Sequence, residues 1–129
     1  MNIITTSTFK AEITIGLNKG YSDEIWNIDK LKISLQNAQK LLKDDTGVLL
    51  SAKVTLCDIV FLGQDEPSVT ISFINYPKFP VEKEPFKSGV IFIAKNIMNE
   101  LEQNRIVVVF NDETIMFEVD DKIDGLISL

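Results

Sequence analysis

Between a strand-like run ending at Ile74 and a helix-like run near Ser88 lie Tyr76, Lys78, Phe79, Lys83 and Phe86, set among Pro77, Pro80 and Pro85. Flat rings offer stacking surfaces, and lysines offer cations to an anionic group. Proline can continue neither a strand nor a helix interior, so this loop is stiff. A stiff loop carrying rings and cations suits a planar, phosphorylated ligand. Further along, Asn96 adds an amide able to read a base edge. Arg105 follows Gln103 and Asn104 at a helix-to-strand junction. Its guanidinium can fork onto a phosphate or stack on a base. Each residue has a plainer role open to it. The rings can pack on the core along an ordered crossover, and Phe86 can staple the helix start. Asn96 can be a surface residue, and Arg105 can complement the helix C-terminus.

Other chemistry is sparse. The chain has no histidine. That removes Ser-His and Cys-His nucleophile pairs, and the commonest general base and metal ligand. Cys57 is the one cysteine and sits in a strand-like run, as a buried, inert thiol would. Gly16 and Gly20 follow a strand without the spacing of a dinucleotide or phosphate loop, so a plain strand-to-helix turn is expected. The acids Asp44, Asp45, Asp120, Asp121 and Asp124 do not follow the EF-hand pattern and read as solvated charges. Asp58 falls in phase with Val54, Leu56 and Val60. A bulge or an exposed edge accounts for that, and a carboxylate enzyme using Asp58 and a lysine is the catalytic alternative.

The elements that must position these residues show in the periodicity. Residues 9–17 alternate, with Phe9, Ala11, Ile13, Ile15 and Leu17 on one face. Ile28, Leu31, Leu35, Ala38 and Leu42 form the apolar stripe of a helix, with Asn27 or an earlier polar residue at its start and Gly47 at its end. Residues 48–62 and 68–74 read as a hairpin with its turn at 63–67. Ser88 caps a second helix striped by Val90, Ile91, Ala94, Ile97, Met98 and Leu101. Residues 105–110 are apolar on both sides, so both faces of that strand should be buried, and 114–119 form a last strand.

This order predicts one α+β domain, a ferredoxin-like βαββαβ sandwich with an extra C-terminal strand. Its core spans about 9–119 and its tail 120–129. Both helices would cover one sheet face, leaving the other to a second copy of the chain, or to the N-terminal arm or the tail. A helix of about 20 Å at 1.5 Å per residue would separate Phe86 from Arg105, so they would share a ligand only where two subunits meet.

Composition limits the partners. A chain 45% hydrophobic and 25% charged is an ordinary globular one, and a net charge of −6 without a basic run argues against nucleic-acid polymers. No apolar run is long enough to span a bilayer, and residues 1–8 do not read as a signal peptide. A cytoplasmic protein is the expectation, or one in the host cytoplasm if phage-encoded.

The run Ile74-Asn75-Tyr76-Pro77-Lys78-Phe79-Pro80, a helix with Phe86 and Asn96, then Gln103-Asn104-Arg105 and Asn111-Asp112-Glu113-Thr114 together resemble the phage anti-Thoeris sponge proteins of the first type. The similarity covers most of residues 9–118. It implies sequestration of a cyclic ADP-ribose-type signal without cleavage, suppressing host antiviral signalling. It also implies homo-oligomers with pockets between subunits, and Phe86 and Asn96 at the ligand. The expected protein is therefore a non-enzymatic binder of a small nucleotide-derived molecule. It would need no cofactor or metal and would bind through Phe86, Asn96, Arg105, Tyr76, Lys78 and Phe79. The alternative is a ferredoxin-like regulatory or assembly module that docks a protein through its apolar end, Leu126, Ile127 and Leu129.

Overall fold

In β1 (Lys10–Gly16) the side chains of Ala11, Ile13 and Ile15 are buried, while those of Glu12 and Thr14 turn to the opposite face. The period of two has done this, because a pleated strand sends successive side chains to opposite sides. The computed structural model describes residues 1–20 and 22–122. Tyr21 and the apolar end at Leu126, Ile127 and Leu129 lie outside the described residues.

α1 (Ile28–Thr46) starts where Asn27 Oδ1 accepts the Asp29 N–H at 2.8 Å. It ends at Gly47, which adopts φ 77° and returns its N–H to the Lys43 carbonyl. Leu31, Leu35, Ala38 and Leu42 face the core. Ser34 shares their stripe at 1% exposure, and among the described residues its hydroxyl has no hydrogen-bond partner. A buried unpaired hydroxyl is costly, and serine is a weaker helix former than alanine. Ser34→Ala should therefore stabilise the fold by about 1 kcal/mol and raise the melting temperature by about 3–5 °C. A lower melting temperature would show that the hydroxyl makes a bond.

β2 (Lys53–Phe61) and β3 (Gln64–Ile74) form the hairpin, but its turn is tighter than the sequence suggests. Leu62 and Gly63 both have positive φ, 47° and 82°, the geometry of a two-residue turn that matches strand twist. Residues 64–67, expected in the turn, are thus part of β3. Alternation then carries Glu66 onto the same face as Ser68, Thr70 and Ser72. Asp58 lies exposed on β2, one of the sheet's two edge strands.

α2 (Lys83–Glu100) begins ahead of Ser88. Pro85 falls in its first turn, where the missing N–H would have had no partner. The helix ends with Glu102 in the left-handed region (φ 53°) and the Gln103 N–H bonded to the Met98 carbonyl at 3.0 Å. β4 (Arg105–Phe110) and β5 (Thr114–Glu118) complete the chain.

The sheet order is β2-β3-β1-β4-β5, antiparallel throughout. This is an α+β fold of ferredoxin-like type with a fifth strand added beside β4. The core lies between the sheet and the two helices, around Ile13, Ile71, Phe73, Leu31, Ile93 and Ile97. Both faces of β4 were expected to be buried, and within the single chain one of them is. Ile106, Val108 and Phe110 are buried, whereas Val107 is half-buried and Val109 is 40% exposed on the other face. The helices cover one side of the sheet and leave that other side open.

Candidate functional site

The expected ligand loop is a structural crossover. Asn75 is buried and pins it at three points. Its Nδ2 donates to Thr6 Oγ1 and the Ser7 carbonyl, and its Oδ1 accepts the Val81 N–H. Tyr76 and Phe79 stack on each other with centroids 4.8 Å apart, and Lys78 is exposed. Phe79 lines only shallow grooves shared with α1 and with residues 46–51. Phe86 is 2% exposed and packs on Phe9 at 5.9 Å between centroids, so it offers no free face. Asn96 turns its amide back to the Phe92 carbonyl at 2.8 Å. Arg105 lies at the far end of β4 and is joined through Nε to the Glu118 carboxylate. Within one chain the structure therefore does not bring the six expected residues together.

Two clefts contain charged groups whose pKa is shifted. The first, about 240 Å³, lies beside the start of α2 and is bordered by Lys10, Lys83 and Lys87. Two of those cations already have partners. Lys83 pairs with Asp112 at 3.2 Å and Lys87 with Glu113. The hydrogen bond to Glu113 raises the Lys87 pKa, and that from Lys83 lowers the Asp112 pKa. Lys83 and Lys87 are thus already engaged by Asp112 and Glu113.

The second cleft, about 480 Å³, opens on the bare sheet face where β1 ends. Its apolar wall is Ile59, Val107 and Met116, and its polar border includes Thr14, Ser68 and Arg105. Glu66 and Gln103 reach into it beside Gly16. Burial pushes the Glu66 carboxyl above the ordinary carboxylate range. A perturbed acid in a concave, partly apolar site makes this cleft the candidate site. Sequence reading missed Glu66 because its neighbours have the composition of a turn. The polar alternation of Gln64, Glu66, Ser68, Thr70 and Ser72 was the available signal.

The segment after β1 supports this cleft. Asn18 bridges Ile25, the Trp26 N–H bonds the Leu17 carbonyl at 2.7 Å, and Trp26 Nε1 donates to the Leu101 carbonyl at 2.8 Å. Lys19 lies 4.7 Å from the Trp26 ring centre. These contacts hold Leu17, Asn18 and Trp26 against the end of α2. Cys57 is half-buried with its sulfur 3.5 Å from Thr70 Oγ1. Among the described residues no group of acids and cysteines could hold a metal, and no helix is long and apolar enough to cross a membrane.

A ferredoxin-like sheet with one bare face bearing a half-buried acid is the arrangement to compare with known proteins. No family model matches the chain, and no curated protein matches it in sequence. Solved structures do match. A phage SAM lyase in its apo state aligns at TM-score 0.67 and 22% identity, over 87% of this chain and 90% of that one. A phage SAM lyase in complex with S-methyl-5′-thioadenosine aligns at TM-score 0.65 and 19% identity, over 92% of this chain and 95% of that one. At such identity the likeness shows the fold. Both neighbours are phage proteins and one holds a small ligand, but neither is named as an anti-Thoeris protein. The expectation of a non-enzyme is overturned, because both are named as lyases, which are enzymes. The missing histidine argued too much. It excludes particular nucleophile pairs, not reactions whose nucleophile is part of the substrate.

Proposed function

We propose that the protein binds S-adenosylmethionine in the Glu66 cleft and cleaves it as a lyase. The observation that carries this reading is the half-buried Glu66 carboxylate in a cleft with one apolar wall. S-adenosylmethionine brings an adenosine, a sulfonium and an α-ammonium. Ile59, Val107 and Met116 suit the flat adenosine, and Glu66 suits the cationic end. A cyclic ADP-ribose-type signal would instead need cations at its pyrophosphate, whereas Arg105 at the border of this cleft is paired with Glu118 and Glu66 adds a carboxylate. The fold of the two SAM lyases adds weight to the reading.

The chemistry asks little of the protein. S-methyl-5′-thioadenosine keeps the methyl group, so forming it from S-adenosylmethionine breaks the bond between sulfur and the amino-acid γ-carbon. A lyase adds no water, so we assign the substrate's own carboxylate as nucleophile. One carboxylate oxygen bonds the γ-carbon, and the electron pair of the breaking bond leaves with sulfur. Sulfur becomes a neutral thioether, and the remainder closes as homoserine lactone. No proton need move. Positive and negative charge annihilate in this step, so excluding water favours it, and folding the chain into reach supplies the rest.

We further propose that the working protein is a homo-oligomer whose subunits close the cleft. Ile59 and Phe61 are exposed on the cleft's face of edge strand β2, beside Glu66 and Gln64, and Leu56 and Val60 are 64% and 73% exposed on its other face. Such a patch favours a partner surface. A native mass spectrum should show a multiple of the chain mass, and a monomer at micromolar concentration would remove this part. Incubation with S-adenosylmethionine should yield S-methyl-5′-thioadenosine and homoserine lactone by mass spectrometry. Intact substrate would overturn the lyase reading, and homoserine formed with one oxygen from labelled water, without prior lactone, would make the enzyme a hydrolase.

A further inference from the structure

We propose that Gly16, Gln103 and Glu66 form one ammonium-recognition unit, in which the bare α-carbon of Gly16 is the seat and Gln103 supplies a fixed acceptor. This rests on the reading of the cleft as the substrate site. Gln103 Nε2 donates to the Asn18 carbonyl and, at 3.1 Å, to the Leu101 carbonyl. Turning the amide over would set its oxygen against two carbonyl oxygens, so the network fixes Oε1 on the other side. That side faces Gly16. A β-carbon at position 16 would stand 3.1 Å from Gln103 Oε1 and would overlap Glu66 Oε1 outright.

Two oxygens that only accept therefore converge beside one point in the cleft. A neutral ring or a thioether has little to give such a pair, whereas a primary ammonium has three donors and a charge. The sulfonium is a poorer fit, since it has no N–H. Holding a carboxylate against it would also stabilise a charge that disappears as the bond breaks, which slows the reaction. The α-ammonium keeps its charge throughout, so binding it anchors the amino-acid end without that penalty. Gly16 is then a specificity-determining residue. It leaves room for both oxygens, and any side chain there would displace the flexible Glu66 carboxylate rather than the sheet.

The test compares two probes by calorimetry. S-adenosylhomocysteine has the ammonium without the sulfonium charge, and S-methyl-5′-thioadenosine has neither. Gly16→Ala and Gln103→Met should each weaken S-adenosylhomocysteine about ten- to a hundredfold, as expected for a charge-assisted bond, and leave S-methyl-5′-thioadenosine within about twofold. Gly16→Ala keeps the Gln103 amide and both its carbonyl acceptors, so its result stands even if Gln103→Met loosens the loop. Equal weakening of both probes, or of neither, would overturn the recognition unit while the cleft remains the site. Wild-type protein that binds neither probe would overturn the site itself, and the unit with it.

Discussion

Glu66→Gln should lower S-adenosylmethionine turnover about a hundredfold and at the same time make the protein more stable at neutral pH. The first effect follows from removing a charge-assisted bond in a partly desolvated site, with about tenfold for each 1.4 kcal/mol. The second follows from the cause of the pKa shift. Burial raises the Glu66 pKa, so ionising the group costs more in the folded state than in the unfolded one. Glutamine keeps the shape and removes that cost. A residue that supports only the fold would not move the two quantities in opposite directions.

The pH dependence has a definite sign. Between the ordinary value, 4.5, and the raised value in the fold, the native state binds more protons than the unfolded state. Stability therefore increases as pH falls through that window, and the Glu66→Gln variant should lose this dependence. Activity should move the other way. A protonated Glu66 no longer attracts the cationic ligand, so turnover should drop as pH falls through the raised pKa. The pH–rate profile and a urea series on both proteins measure all of this. Unchanged turnover with an unchanged acid limb in the variant would sink the assignment of Glu66.

Local rules made much of the fold legible. Clean alternation placed β1, and the 3-4 spacing with Asn27 and Gly47 at its ends placed α1. The start of α2 was misjudged because Pro85 reads as a breaker, although a first-turn proline loses no hydrogen bond. The hairpin turn was misplaced because 63–67 has turn-like residues, and the backbone compressed the turn into Leu62 and Gly63. That shift also hid Glu66. The candidate site is harder still to read, since Gly16, Glu66 and Gln103 come from three separate segments. Each looks ordinary alone, and only the pairing of β1 with β3, plus the turn that ends α2, brings them together. Phe86 shows the opposite case. A ring next to prolines and lysines suggests a stacking platform, yet its place on the first turn of α2 directs it inward.

Phe86→Ala should act on stability and not on ligand affinity. At 2% exposure the side chain is core, in contact with Phe9 and set under the start of α2. Truncating a buried phenylalanine costs about 3–5 kcal/mol, combining the lost transfer term with the cavity left behind. Domains of this kind have about 5–15 kcal/mol in total, so the variant should unfold at far lower urea and melt many degrees earlier. Phe86→Leu keeps most of the volume and should cost less than about 1.5 kcal/mol. In whatever fraction of Phe86→Ala stays folded, affinity for S-adenosylhomocysteine should match the wild type, because the ring belongs to a different cleft from Glu66. Urea denaturation and calorimetry below the transition read the two effects separately. A variant of wild-type stability that has lost its ligand would return Phe86 to the site that the resemblance to anti-Thoeris sponges implies, and would move the ligand away from Glu66.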